Sequence, residues 1–197
     1  MNLENLQKNL TATGYTVRVF DTAAQAAEYL VESIHGKTVG IGGSMTIDAM
    51  DVYDRLAQDN QVFWHWKTPG PETLAKAAQA QVYLSSVNGI AETGEIINID
   101  GTGNRVAETV YGHEQVYFIV GKNKLAPDYE QALWRARNIA APKNAQRLNC
   151  KTPCAAEGDR CYDCKSPARI CRALSVLWRP PLGARYEVVL VKQELGY

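Results

Sequence analysis

The sequence predicts an α/β protein: a mostly parallel sheet flanked by helices, with a cysteine-rich knob toward its C-terminal end. Three observations predict it. Short runs rich in Val, Ile, Tyr and Phe alternate with helical patterns along most of the 197 residues, the rhythm of βα units. Glycine-bearing loops follow several of the strand-like runs. All five cysteines, Cys150, Cys154, Cys161, Cys164 and Cys171, fall in one short segment where proline and glycine interrupt that rhythm.

The elements follow in order. Leu3, Leu6 and Leu10 recur at helical spacing, so residues 2–13 form an amphipathic helix that stops at Gly14. A strand covers 15–20, and Asp21 or Thr22 caps a helix to about residue 34. A buried strand over 38–42 runs into a glycine turn, and a helix spans about 46–58. Residues 62–66 give another strand, and Pro71 fits the first turn of a helix reaching 79. Strands over 82–87 and 95–99 are separated by a glycine-bearing loop, and a short helix follows the turn at 100–104. Residues 116–120 are the most strongly β stretch, and 128–140 a capped helix. The rhythm breaks over 141–175 and returns with a strand at 186–191. The chain therefore divides into an α/β domain, 1–148 with 176–197, and a metal- or cluster-binding segment, 149–175.

Bulk properties exclude several classes. Lys plus Arg and Asp plus Glu balance at 21 each, so no overall field draws the chain to nucleic acid. No apolar run reaches the roughly 18 residues of a membrane helix, and the first residues lack a secretory pattern. A cytoplasmic, reducing compartment is the default, and there clustered thiols favour metal or redox chemistry over disulfides. A homodimer is the default assembly.

The cysteine spacing is C-x3-C-x6-C-x2-C-x6-C, with Cys161-Tyr162-Asp163-Cys164 as a C-x-x-C pair. Such a pair brings two thiolates onto one metal from a single turn. Cys154, Cys161, Cys164 and Cys171 are the preferred ligands, with Cys150 as the alternate. Four thiolates suit an iron–sulfur cluster or Zn²⁺, and the spacing does not decide between them. No flavin, haem or nicotinamide motif is evident, so redox chemistry here needs an electron-transfer partner.

Elsewhere, Gly40-Ile41-Gly42-Gly43-Ser44-Met45-Thr46 ends a strand and opens a helix. Its glycines and hydroxyls suit an anion, and equally a tight βα turn with an N-cap. Glu92 sits between Gly89 and Gly94 just past a strand end, where a base or nucleophile belongs. Spacing alone favours a solvated turn glutamate. Arg105 follows the turn Asp100-Gly101-Thr102-Gly103-Asn104 and suits a carboxylate or phosphate. Gly121-Lys122-Asn123-Lys124 fits an anion-holding loop or a lysine-bearing surface loop. Arg135 and Arg137 cannot share one helix face. His65, between Trp64 and Trp66, reads as packing.

In series, these motifs resemble the LUD-domain (lactate-utilisation) family. The resemblance rests on the glycine loop at 40–46, Asn88-Gly89-Ile90-Ala91-Glu92-Thr93-Gly94, the run Asn98 to Arg105, Val120-Gly121-Lys122-Asn123-Lys124, Ala136-Arg137-Asn138-Ile139-Ala140-Ala141-Pro142 and Thr152-Pro153-Cys154. It implies a fold like that of the ribose-5-phosphate isomerase, glucosamine-6-phosphate deaminase and CoA-transferase group. It also implies a small anionic metabolite held by Gly42, Gly43, Ser44, Thr46, Asn88, Arg105, Lys122 and Asn123, with Glu92 as the acidic residue facing it. Family members take part in iron–sulfur-dependent oxidation of L-lactate to pyruvate. An isomerase- or transferase-like enzyme, or a small-anion-binding module, with a structural zinc knob is the alternative.

Overall fold

The computed structural model describes residues 2–197; Met1, which opens the expected α/β domain, lies outside the described residues. The first half contains α1 (Leu3–Thr13), β1 (Thr16–Phe20), α2 (Ala23–Ser33), β2 (Thr38–Ile41), α3 (Met45–Asp48), α4 (Tyr53–Leu56), β3 (Gln61–Trp64) and α5 (Pro71–Ala78). It continues with β4 (Val82–Ser86), β5 (Gly89–Ala91), β6 (Ile96–Asp100), α6 (Asn104–Glu108) and β7 (Gln115–Gly121). The rest comprises β8 (Leu125–Ala126), α7 (Tyr129–Arg135), α8 (Ala141–Arg147), α9 (Pro153–Glu157), β9 (Ala173–Leu177) and β10 (Arg185–Val191).

Six strands form one sheet in the order β1-β10-β7-β4-β2-β3, and every pair in it is parallel. A smaller sheet, β8-β5-β6-β9, packs beside it and mixes parallel and antiparallel pairs. Both faces of the large sheet are covered, as an all-parallel sheet requires. On one face Ala26 and Leu30 of α2, Ile47 of α3 and Leu56 of α4 pack over Ile41, Leu84, Ile119 and Val189. On the other, Leu6 and Leu10 of α1 meet Phe118, Val188 and Leu190 together with Ile90 and Ile96 of the small sheet. The far side of the small sheet is closed by Ala132 and Ala136 against Ala91 and Ile97.

Local chemistry explains most boundaries. Asn2 accepts hydrogen bonds from the backbone of Glu4 and Asn5 and starts α1, while Gly14 at φ 109° ends it. Thr22 and Gln25 form a reciprocal capping box on α2. Gly89 in β5 permits close packing, since a Cβ there would lie 2.5 Å from the Ala132 carbonyl oxygen.

Three expectations need correction. The helix expected over 46–58 is two single turns, because Asp51 takes a left-handed conformation (φ 49°) that lets Ile47, Met50, Val52 and Leu56 all reach the core. The loop expected around residue 90 contains β5, whose Ile90 and Ala91 pair with β8. The break expected from 141 onward begins later: a π turn, Ala136–Ala140, joins α7 to α8. That wider turn leaves room for Pro142, whose ring a regular helix would press against a carbonyl. Residues 173–175, expected in the knob, are strand and pair with β6.

Candidate functional site

The parallel strands deliver the loops after β2, β4 and β7 to one edge of the sheet, where α/β proteins hold ligands. A cavity of about 290 Å³ opens there. Gly43, Ser44, Ser86, Asn88, Asp100, Arg105 and Lys124 line it, with His65, Trp66, Arg147, Cys171 and Tyr197 completing its wall.

Lys124 is its most unusual member. The tight turn Lys122–Lys124 after β7 leaves Lys122 exposed and turns Lys124 inward, where it is 4 % exposed. Its Nζ donates to Thr46 Oγ1 (2.8 Å) and Ser86 Oγ (2.9 Å). Ser86 Oγ lies 3.2 Å from Thr46 Oγ1, which in turn donates to the Leu195 carbonyl at 3.1 Å. Neither partner of Nζ is a carboxylate. Burial, and then the positive charges of Arg135 and Arg105, hold the Lys124 pKa well below the usual lysine value.

The arginines are clamps. Arg105, with its side chain 13 % exposed, donates to Asn98 Oδ1 (2.7 Å), Asn88 Oδ1 (3.2 Å) and the Ile99 carbonyl (2.6 Å), and its Nε lies 3.4 Å from Asp100 Oδ2. Burial lowers its pKa and Asp100 opposes that shift. Arg135 donates to the backbone carbonyls of Asn123 (2.7 Å) and Asn88 (2.5 Å), and burial pushes it down to about 10. Arg147 is exposed at the rim, stacked over Trp66 with 4.9 Å to the ring centroid. His65 shares that rim, and burial lowers its pKa.

The residues expected around a ligand separate into groups. Gly43, Ser44, Asn88 and Arg105 meet at the cavity. Gly42 packs beside it, where an added Cβ would lie 3.0 Å from Arg105 Cγ. The hydroxyls of the glycine loop are already engaged: Ser44 Oγ accepts from the Ile47 amide, and Thr46 belongs to the Lys124 cluster. Asn123 fastens residues 194–197, accepting from the Leu195 amide (3.0 Å) and donating to the Gly196 carbonyl (3.1 Å). Glu92 is the correction. Strand β5 carries it out to the N-terminus of α1, where its carboxylate accepts from the Asn2 amide and from Asn5 Nδ2, both at 3.0 Å. Those two bonds, the Asn2 amide foremost, lower its pKa. Lys124, whose loop the sequence marks as a candidate anion holder, lines the cavity although the expected ligand-binding set took only Lys122 and Asn123 from that loop. Its signal was two lysines two positions apart after the strongest strand, which a tight turn sends in different directions.

A second pocket lies alongside. Cys154, Cys161, Cys164 and Cys171 line a small cavity of about 20 Å³, whereas Cys150 lines a separate groove. All five thiols are free and half-buried. The Asp163 amide donates to Cys161 Sγ (3.3 Å), Thr152 Oγ1 lies 3.4 Å from Cys154 Sγ, and Arg137 Nη2 lies 3.9 Å from Cys161 Sγ. Arg169 donates to the carbonyls of Cys164 (2.7 Å) and Cys171 (3.1 Å), which ties together the last two cysteines of the segment. Among the described residues no three His, Cys, Asp or Glu side chains stand close enough to hold a single metal ion. Four cysteines border one small space, and a backbone amide donates to the sulfur of one of them. Ala141, Ile170 and Cys171 line both pockets, so the two share a wall.

Sheet, cavity and cysteine segment together define an α/β domain with a polar cavity, bordered by Arg105, Lys124 and Arg147, at the carboxyl edge of its strands. The chain belongs to the LUD domain family, whose profile matches residues 3–191. Its fold is similar to that of a DUF162 family protein from Deinococcus radiodurans, with a TM-score of 0.57 at 14% identity over 96% of this chain and 95% of that one. A weaker likeness, TM-score 0.35 at 16% identity, links 53% of the chain to 53% of ribose 5 phosphate isomerase A from Neisseria gonorrhoeae. No curated protein matches. Family membership makes this a lactate-utilisation-like protein, and no helix of the described residues is long and apolar enough to cross a membrane.

Proposed function

We propose that this protein is a component of the oxidative metabolism of a small carboxylate such as lactate. The anion occupies the Lys124 cavity, and Cys154, Cys161, Cys164 and Cys171 hold an iron–sulfur cluster. The observation that carries this reading is the wall shared by the two pockets, in which Cys171 borders both. A hydroxy acid loses two electrons and two protons on becoming an oxo acid, so a redox centre must lie close to the bound substrate. An iron–sulfur cluster supplies one-electron transfer when bound.

The chain's own residues supply the rest. Arg147 at the rim, with the field of Arg105, favours a carboxylate over a neutral molecule. Trp66 and Ile170 shield part of the cavity from water. Arg137 and Arg169 place positive charge around the thiolates. A cluster held by these cysteines would pass electrons singly, so a partner electron-transfer protein would have to accept both electrons in turn and solvent the two protons.

The test is iron and acid-labile sulfide analysis, with an absorbance spectrum, on protein purified without oxygen. Iron and sulfide in near-equal amounts support the reading. Stoichiometric zinc without sulfide overturns it in favour of a structural knob, and finding neither overturns the cluster.

A further inference from the structure

We propose that Lys124 is a carbonyl-capturing amine that forms a Schiff base with a small 2-oxo acid in the cavity. This rests on the reading of the cavity as a small-carboxylate site and adds a covalent step to it.

The hydrogen-bond pattern sets up the amine. The Thr46 hydroxyl donates to the Leu195 carbonyl and the Ser86 hydroxyl to Thr46 Oγ1, so both oxygens accept from Nζ. A neutral amine has two hydrogens, and both are then placed. Its lone pair is left for the direction those bonds do not use, and Lys124 lines the cavity. No carboxylate bonds its Nζ: Asp100, which lines the same cavity, is paired with Arg105, and the charges that act on Lys124 are those of Arg135 and Arg105. Such an arrangement is a poor structural device, since an apolar side chain of similar volume fills a buried site without a desolvation penalty. It is a good nucleophile, because a desolvated lysine beside other cations is the amine that attacks carbonyls.

The surroundings choose the carbonyl compound. Arg147 at the rim, with the field of Arg105, favours a carboxylate on the same molecule, and about 290 Å³ suits a small one. In the step itself, Nζ bonds to the carbonyl carbon and the C–O bond breaks. The oxygen leaves as water with both amine hydrogens, which the Thr46 and Ser86 hydroxyls are placed to relay. No electrons change hands.

The experiment incubates the full chain with pyruvate or glyoxylate and cyanoborohydride at pH 7, then maps adducts by mass spectrometry. An exposed lysine of ordinary pKa has roughly one amine in a thousand unprotonated at that pH. The expected result is a single, saturable adduct on Lys124, formed at least about tenfold faster than on exposed Lys122. Ser86→Ala slows it, and Lys124→Met abolishes it. Should Lys124→Met fail to fold, the adduct map of the unsubstituted chain still decides. Adducts confined to surface lysines, or none, overturn the proposal. Calorimetry without reductant separates the two failures: binding without an adduct removes only the Schiff base, and no binding removes the carboxylate site with it.

Discussion

The Lys124 cavity and the cysteine pocket share a wall but are built in opposite ways. The cavity draws on the ends of regular strands, and its polar groups already have partners: Arg105 alone reaches Asn88, Asn98, Ile99 and Asp100. The pocket draws on the irregular chain between α8 and β9, and its thiols are half-buried with few partners. A preorganised site keeps its shape when empty, whereas a thiol site gains its shape, and part of its stability, from what it binds. The contrast is between a cavity whose polar groups are held by the fold and a segment whose thiols are left with few partners.

The largest expected effect tests the second half of that contrast. Cys161→Ser with Cys164→Ser removes the C-x-x-C pair, and bound iron and sulfide should fall to background. Limited proteolysis should then cut within residues 158–172 while the α/β domain survives and still binds a small carboxylate. If the variant keeps its iron, the pocket is not the cluster site. Next in size is Arg105→Met, which strikes the preorganised site. It leaves Asp100 and several buried acceptors without their donor, a loss of about 3 kcal/mol for a largely buried pair, read as a lower urea midpoint. A change within error means that the clamp does not hold the cavity.

The third effect is a pH dependence. The folded-state pKa of Lys124 is depressed, so between that value and the usual lysine pKa the unfolded chain binds more protons than the folded one. Stability therefore rises with pH across that window, by up to about 1.4 kcal/mol per pH unit from this group. Lys124→Met lacks the term. Relative to the unsubstituted chain it should be more stable at pH 7, and the gap should narrow by pH 9, measured by urea unfolding of both. A constant gap means that Lys124 stays charged when buried.

How legible each region was follows from its construction. That the cysteines gather could be read from spacing, because side chains supplied by one short segment are close in sequence as well as in space. The parallel sheet was legible because Val116 to Val120 and Val188 to Val191 are apolar on both faces, the mark of a covered strand. The cavity was only half legible. Gly43, Asn88 and Arg105 stood out by their loops, but Lys124 looked like its neighbour Lys122, and only the turn after β7 tells them apart. The resemblance placed Glu92 at the ligand, but β5, three residues long with a glycine, carries its side chain to the start of α1 instead.

Glu92 also supplies the smallest expected effect, and it is the sharpest check on where the site lies. The family resemblance gave this carboxylate, between two glycines past a strand end, the place of an acid facing the ligand. In the folded chain it instead accepts from the Asn2 amide and the Asn5 side chain, and so joins α1 to the second sheet. Glu92→Gln removes the charge and keeps an acceptor for only one of the two donors, because the Asn2 amide and Asn5 Nδ2 bond to different carboxylate oxygens. Carboxylate binding, the Lys124 adduct and the metal content should all match the unsubstituted chain, with any change confined to fraying of α1 seen by hydrogen exchange. Loss of adduct formation in this variant would mean that ligand binding draws Glu92 toward the cavity, and that the preorganised site is the more mobile of the two.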